Sequence, residues 1–326
     1  MELKINHNTQ QMVQNTIEIA QESHSGFIEA NTEAVTLQHL KNDCVIPVFS
    51  KDNESTISHY QFIHKAHDVV KNLFPELDVE PPKIRVSHTI KGRVPSAVGK
   101  PAKELLDHEK TIYYERCAFL IELPSVKHIV NGNELNLSVG GVRSYNQENL
   151  YSKKSLEKFK VFIGFKNRIC TNLCISSDGF SDEIRIGSVM DLGHEMKQLF
   201  STYNTEKHLG MMEQMSSFVF SEKQFAHFIG KLRMYQHLDK TEQLKVFPLS
   251  LNDSQINNVV KDYFGCPNFG RSPDGSVSLW NLYNMFTEAN KSSFIDKNLE
   301  RNVNAYELVN NLGNSLQNDL PNWFLS

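Results

Sequence analysis

Residues 158–176 read KFKVFIGFKNRICTNLCIS, and this stretch decides the predicted fold. Its first half alternates with period two: one set is Phe159, Val161, Ile163 and Phe165, and the other is Lys160, Phe162, Gly164 and Lys166. Successive side chains of a β-strand point to opposite faces of the sheet. The pattern therefore predicts a strand with one buried face and one face that carries lysines and an aromatic ring.

Two further β-type segments precede this strand. They are TIYYERCAFLIELP at 111–124 and ELNLSVGGVRSYN at 134–146. The connection between them contains Asn131-Gly132, the residue pair that favours a two-residue hairpin turn. Residues 111–176 are therefore predicted to form an antiparallel sheet.

Helical periodicity dominates on both sides of the predicted sheet. Ser58 is a predicted N-cap for a helix that Pro75 ends, with an apolar stripe at Phe62, Ala66, Val69, Val70 and Phe74. From about Asp191 the period is helical, and Ser221 begins a further amphipathic segment. We expect an α+β fold with a central antiparallel sheet, an N-terminal helix and a mainly helical C-terminal half. The predicted divisions are an acidic segment 1–80, a basic arm and sheet 81–190, and a helical region 191–326 packed on the same core.

The composition is that of a globular protein. The chain has 326 residues, of which 40% are hydrophobic and 22% charged. No stretch approaches 18 apolar residues, and the opening MELKINHNTQQ has no apolar run. Five cysteines are an odd and sparse set for a disulfide framework. These features favour a cytoplasmic protein with reduced thiols and no membrane partner.

Positive charge is concentrated in the centre of the chain. Residues 81–170 carry 16 Lys and Arg against 8 Asp and Glu, a balance of +8 in a chain whose net charge is −4. The basic stretch 81–103 contains six of these cations and no acidic residue. Clustered cations are what the neutralisation of phosphates needs, although a solvated lysine face has the same composition.

Motifs for catalysis or for cofactor binding are weaker signals in this sequence than the central excess of positive charge. The chain has neither GxxxxGK[ST] nor GxGxxG, so a P-loop and a dinucleotide site are not expected. Cys170 and Cys174 form a CxxxC pair without two further ligands nearby, which favours buried thiols over zinc. The acidic run Asp178 to Glu183 fits a solvated turn better than a Mg²⁺ site. We therefore expect no cofactor and no metal, and the residues leave any enzymatic activity open, with a non-enzymatic function favoured.

A lysine cluster is the strongest functional feature. Residues 151–160 combine four lysines with two aromatic residues. Proteins that bind single-stranded nucleic acid use cations along the backbone and aromatic rings that stack on bases. Phe162, on the predicted lysine face, is the candidate stacking ring, whereas Phe159, Val161, Ile163 and Phe165 are better explained as core.

Two longer segments resemble a known group of proteins. Residues 83–125 and 137–179 resemble an uncharacterised family carried by bacterial phages, plasmids and conjugative elements. Arg168-Ile-Cys170-Thr-Asn172 resembles a strand motif of a broader phage/plasmid-like family of unknown function. That family has a Trp-containing helix near its C-terminus, which the segment around Trp280, Asn284 and Glu288 resembles. The order of a hairpin sheet followed by helices is also similar to that of RecT/Redβ-type single-strand annealing proteins, and no residue motif supports this second likeness.

Together these features predict a nucleic-acid-binding protein of a mobile element, most simply a non-enzymatic factor that binds or anneals single-stranded DNA in recombination. One alternative is a protein that inhibits or mimics a host defence factor, and another is a metal-dependent nuclease. A homo-oligomer and a host protein partner are both left open. The predicted nucleic-acid-binding residues are Lys83, Arg85, Lys91, Arg93, Arg143, Lys153, Lys154, Lys158, Lys160, Phe162, Lys166 and Arg168. The basic stretches 83–103 and 153–168 are expected to converge on one surface.

Overall fold

A central antiparallel sheet organises the fold. The computed structural model describes residues 26–46, 56–147 and 156–326. Its strands are β1 (Glu33–Val35), β2 (Lys83–Val86), β3 (Thr89–Arg93), β4 (Lys110–Tyr114), β5 (Arg116–Val130), β6 (Asn133–Ser144), β7 (Glu157–Asn167), β8 (Leu173–Cys174), β9 (Phe180–Ile186), β10 (Val219–Phe220) and β11 (Val277–Ser278). The main sheet has the order β1-β2-β5-β6-β7-β8, and β9 also pairs with β7. The sheet therefore extends beyond the predicted residues 111–176 at both ends.

The helices of the described residues flank this sheet. They are α1 (Leu37–Asn42), α2 (His59–Leu73), α3 (Val189–Thr202), α4 (Thr205–Gln214), α5 (Glu222–Tyr235), α6 (Lys240–Gln243), α7 (Asp253–Gly265), α8 (Leu279–Asn290) and α9 (Ile295–Gln317). Ser58 and Ser221 are the N-caps of α2 and α5, and each forms a capping box with a glutamine at the third helical position. The α+β fold with a central antiparallel sheet is confirmed.

The hairpin β5–β6 forms the centre of the sheet. Asn131 and Gly132 connect the two strands with φ angles of 50° and 78°. Positive φ at both central residues is the requirement of a type I′ turn, which explains the Asn-Gly pair. Gly140 and Gly141 lie in the middle of β6, where a Cβ at Gly140 would clash with the Phe119 carbonyl oxygen and the Phe162 ring. These glycines therefore serve close packing within the sheet.

Both faces of the sheet are buried. On one face, Phe119 of β5 and Phe159 of β7 pack with Phe62 of α2 in a large core cluster that also contains Trp280 of α8. On the other face, Phe162 belongs to a smaller cluster with residues of β5, β6 and the N-terminal half of α9. The larger cluster thus includes residues from all three predicted divisions of the chain.

The predicted basic arm is more regular than expected. Residues 83–86 form β2, which pairs with β5 in the main sheet. The chain then forms β3, which pairs with β4 in a separate two-stranded ribbon. Residues 94–109 connect β3 to β4 through three short 3₁₀ turns. We call residues 89–114 the basic hairpin. Because β3 follows β2 and β4 precedes β5, this ribbon continues the β2–β5 ladder beyond the sheet.

Candidate nucleic-acid interface

Five of the predicted phosphate-binding cations lie on one face of the main sheet. Lys83 lies opposite Leu120 and Arg85 lies opposite Ala118, and both partners belong to the smaller core cluster. Three cations of β7 alternate with residues of the larger cluster and so share the face of Phe162. The five are Lys83, Arg85, Lys158, Lys160 and Lys166. The predicted alternation of β7 is therefore confirmed.

Two of these lysines meet at a single carboxylate. The Nζ atoms of Lys83 and Lys166 each lie 2.7 Å from Oε1 of Glu122, which is nearly buried. Burial raises the pKa of Glu122, but hydrogen bonds from Lys166 and Lys83 outweigh it and hold this pKa below its ordinary value. Glu122 is therefore ionised at neutral pH. The two basic stretches do converge at this point, on an acid of the same sheet.

The other cations of this face also have partners. Lys158 lies 2.5 Å from Glu183, and hydrogen bonds from Arg185 and Lys158 lower the pKa of Glu183 to about 2. Lys160 forms an ion pair with Glu300 of α9 and lies 3.5 Å from Asp182. Arg85 donates to the side chain and the carbonyl group of Thr32. A phosphate at these sites would have to displace a protein oxygen, so the positive charge of this face is largely used within the fold.

Two of the predicted binding residues are buried, and their predicted roles need correction. The side chain of Arg143 is fully buried on the opposite face of the sheet, where it donates to the Ile57 carbonyl oxygen and to Glu157. Phe162 is 1% exposed and packs in the smaller core cluster. The expectation of an open ring at Phe162 was wrong, because α9 covers the face on which it lies.

The remaining predicted residues are separated. Arg168 is exposed just beyond the end of β7 and lies 2.8 Å from Glu134. Lys153 and Lys154 lie outside the described residues. Lys91 and Arg93 lie on the basic hairpin. Of these five residues, only Lys91 and Arg93 therefore have a described position on the ribbon.

The basic hairpin presents its cations on one side. Lys91 lies opposite Ile112, and Arg93 lies opposite Lys110, so these side chains share a face of the ribbon. Lys91 is exposed, and Arg93 donates to the carbonyl oxygen of Lys100. Lys110 lies 2.7 Å from Asp107, whose side chain is 98% exposed. Because water screens an ion pair this exposed, the pair contributes little to stability, and a phosphate can replace the carboxylate at little cost.

An exposed aromatic ring lies near the base of the basic hairpin. Phe294, the N-cap residue of α9, is 66% exposed, and the guanidinium carbon of Arg116 lies 5.8 Å from its ring centroid. Gln147 donates to Asp296 in the first turn of α9, which ties this helix to the end of β6. Sequence reasoning missed Phe294, which is followed by Ile295 and then by the polar residues Asp296 and Lys297.

A cleft of about 450 Å³ is lined by residues from the end of β6, from β7, from β9 and from α9. Its lining includes Ser144 and Gln147 at the end of β6, three lysines and three acids. The charged residues are Lys158, Lys160, Lys297, Asp182, Glu183 and Glu300. Equal numbers of both signs make this cleft electrostatically balanced. The hairpin, and not the cleft, therefore supplies the excess positive charge at this end of the sheet.

The two motifs quoted for the family resemblance meet at Asn284, at the opposite end of the sheet. The Oδ1 atom of Asn284 accepts a hydrogen bond from Asn167 at 3.2 Å and lies 3.8 Å from the Cys170 sulfur atom. Its backbone carbonyl oxygen accepts from Asn172 at 2.9 Å. The buried Lys291 donates to the Cys170 carbonyl oxygen and lies 2.9 Å from Glu288. Sequence reasoning identified both segments but not this contact, which joins the turn after β7 to α8.

The cysteines of the motif show no sign of metal chemistry. Burial raises the pKa of Cys170 to about 12, so its thiol is protonated at neutral pH. Within residues 26–46, 56–147 and 156–326, no group of three or more His, Cys, Asp or Glu side chains is arranged to hold a metal ion. Cys174 is fully buried in the larger core cluster. The two thiols therefore act as packing groups in the described fold.

In the part of the chain that the structure describes, each helix is too short or too polar to cross a bilayer.

No curated protein and no solved structure matched this chain. One family model does match, over residues 7–325, and its description reads "Domain of unknown function, B. Theta Gene description (DUF3871)". Because this match covers nearly the whole sequence, the chain belongs to the DUF3871 family of domains of unknown function.

Proposed function

We propose that this protein binds nucleic acid, and single-stranded DNA in particular, through the basic hairpin. The observation that carries the proposal is the shared ribbon face of Lys91, Arg93 and Lys110, which projects beyond the main sheet. Lys103, in the connection of the hairpin, is also exposed. A two-stranded ribbon with exposed cations can follow a phosphate backbone, because counterions are released when phosphates are neutralised.

The preference for single strands rests on the exposed ring at the base of the hairpin. Unpaired bases have free faces that stack on aromatic side chains, and each such contact contributes roughly 1–3 kcal/mol. Phe294 offers this ring in place of the buried Phe162. Arg116, which lies over the ring, supplies a cation beside the stacked base.

The biological setting that we propose is a mobile element. The resemblance of residues 83–125 and 137–179 to proteins of phages, plasmids and conjugative elements supports a role in DNA replication, recombination or counter-defence, and of these we propose recombination. The similarity in element order to RecT/Redβ-type proteins supports the same role as a fold-level analogy only.

A salt titration with a fluorescent oligothymidylate tests the hairpin. The variant Lys91→Ala/Lys103→Ala/Lys110→Ala removes three exposed cations of the hairpin. Each phosphate contact adds about 0.7 log unit to the association constant for a single strand at about 0.1 M salt. We therefore expect roughly 100-fold weaker binding, and a plot of log affinity against log salt that is flatter by about 2 units.

The matched control removes three exposed lysines from the helical half of the chain, in the variant Lys197→Ala/Lys223→Ala/Lys240→Ala. This control should bind the oligonucleotide within about twofold of the parent at about 0.1 M salt. If the hairpin variant binds as tightly as the control, the hairpin is not the interface. DNA cleavage that requires a divalent metal would instead support the nuclease alternative.

A second pair of variants tests the stacking ring. Phe294→Ala should weaken binding to a single strand by about 1–3 kcal/mol and weaken binding to a duplex less. The control is Phe264→Ala on α7, because Phe264 is also exposed and also lies under an arginine, with the guanidinium carbon of Arg271 4.6 Å from its ring centroid. Equal losses for both variants, or equal losses on single strands and duplexes, would contradict a stacking role for Phe294.

A further inference from the structure

A second cavity lies far from the basic hairpin, where α7 and α8 meet the turn that follows β7. Its volume is about 410 Å³, within the range of small-molecule sites. A neighbouring cavity of about 190 Å³ shares three of its lining residues, Lys261, Asp262 and Glu288. The two cavities therefore form adjoining compartments along the same pair of helices.

The lining of the larger cavity combines apolar and acidic side chains. Phe269, Met285 and Pro267 form the apolar part, and Asp262 and Glu288 supply the carboxylates. Asn284, which joins the two family motifs, also contributes to the lining. An apolar surface with a few convergent polar groups is typical of a site that binds a small ligand.

The two carboxylates differ in their partners. Glu288 pairs with the ammonium group of Lys291 at 2.9 Å, so its charge has a partner within the fold. The half-buried carboxylate of Asp262 accepts no hydrogen bond and forms no ion pair with any residue of the described ranges. Withdrawing a carboxylate from water without a partner is unfavourable in free energy, and a bound cation would offset this penalty.

The charges around Asp262 favour the binding of a cation. Burial and, to a lesser extent, the negative charge of Glu288 raise its pKa, Lys291 and Lys261 oppose this effect without cancelling it, and the resulting pKa is about 6. The nearby thiols of Cys170 and Cys266 are the other titratable groups of the cavity wall. An additional positive charge beside Asp262 would therefore be favourable.

We propose that this cavity binds a small organic cation, with its amine or guanidinium group at Asp262 and a short apolar chain against Phe269 and Met285. A metal ion fits less well, because the described residues provide no cluster of three ligating side chains there. The proposal does not depend on nucleic-acid binding, since the cavity and the basic hairpin lie at opposite ends of the sheet.

Ligand-observed NMR with the full chain tests this site. Butylguanidinium is the probe, and butylurea is its neutral isostere of nearly the same shape. We expect butylguanidinium to bind at least about tenfold more tightly than butylurea, because only the cation can pair with the carboxylate. Equal binding of the two probes, or no binding of either, would overturn the proposal.

Two variants of the same helix locate the bound group. Asp262→Asn should reduce the affinity for butylguanidinium at least about tenfold and leave the weak binding of butylurea unchanged. Asp253→Asn is the control, because Asp253 is an exposed aspartate in the first turn of α7. Melting curves of both variants verify that each is folded. A folded Asp262→Asn protein that binds the cation as tightly as the parent would place the ligand elsewhere.

The pH dependence gives an independent readout. A carboxyl group with a pKa of about 6 is about one-tenth ionised at pH 5 and nine-tenths ionised at pH 7. The affinity for butylguanidinium should therefore rise about tenfold between these pH values, and this rise should be absent in Asp262→Asn. A rise that persists in the variant would contradict the assigned role of Asp262.

Discussion

Arg143 provides a direct test of whether the central cations act in folding or in binding. Its side chain is fully buried between two aromatic rings, with its guanidinium carbon 4.6 Å from the Tyr145 centroid and 4.4 Å from the Phe159 centroid. It donates to Glu157, which also accepts from the Ile57 backbone amide at 3.0 and 3.1 Å. This network ties β6 and β7 to the start of α2. We expect Arg143→Met to be strongly destabilising.

The magnitude follows from the groups that lose their partner. Methionine keeps most of the apolar volume, but the 15% exposed carboxylate of Glu157 and the Ile57 carbonyl oxygen each lose a charged donor. Removing one partner of a buried ion pair costs about 3–5 kcal/mol. A domain is stable by about 5–15 kcal/mol, so the variant should show a clearly lowered urea midpoint and melting temperature by circular dichroism.

Arg168→Met is the matched control for this experiment. Arg168 pairs with Glu134 at the exposed end of β7, and because water screens this pair, its removal should leave the urea midpoint nearly unchanged. In the double variant Arg143→Met/Glu157→Gln, the two losses should be less than additive by about 1–3 kcal/mol. A loss below about 1 kcal/mol in Arg143→Met itself would refute the buried network as a source of stability.

Three further predictions concern the core and the second cavity. Phe162→Ala should cost about 3–5 kcal/mol of unfolding free energy through the cavity it leaves, seen as a lower urea midpoint, because the ring is core and not a stacking platform. Asn284→Ala should cost about 1–3 kcal/mol in the same assay, since the buried Asn167 amide loses its acceptor, the Asn284 Oδ1 atom, while the backbone carbonyl oxygen that accepts from Asn172 is kept. Because the pKa of Asp262 is raised in the fold, its ionisation destabilises the protein above about pH 6, and Asp262→Asn should raise stability at pH 7 by about 1 kcal/mol after allowance for solvent screening. That gain should shrink as the pH falls below about 6 and disappear near pH 3, where the carboxyl group is largely protonated in both the folded and the unfolded state, and a gain that is the same at pH 7 and pH 3 would contradict the argument.

Local sequence signals predicted the elements whose stability depends on neighbouring residues. The turn at Asn131-Gly132 needs positive φ at two positions. Asn and Gly are the residue types that adopt positive φ most readily, so the sequence of the turn predicts its conformation. The N-cap of α2 at Ser58 is equally local, because its side chain accepts from the backbone amide of Gln61, three residues later. The alternation of β7 was predicted for the same reason.

The errors arose where distant segments meet. Alternation showed correctly that Phe162 shares a face with the lysines, but not that Leu299 and Val303 of α9 cover this face. That helix lies more than a hundred residues further along the chain. The same limitation hid the contact of Asn284 with Asn172, since nothing in either segment specifies its partner.

Charge is the property for which this limitation matters most. A local excess of +8 in residues 81–170 suggested a continuous basic surface. In the fold, Glu300 of α9 and Glu183 of β9, both outside that block, neutralise Lys160 and Lys158. Glu122, which lies inside the block, pairs with both Lys83 and Lys166. Positive charge available to a partner is therefore determined by which cations lack a well-ordered acid nearby, and the exposed ribbon that carries Lys91 satisfies this condition better than the sheet does.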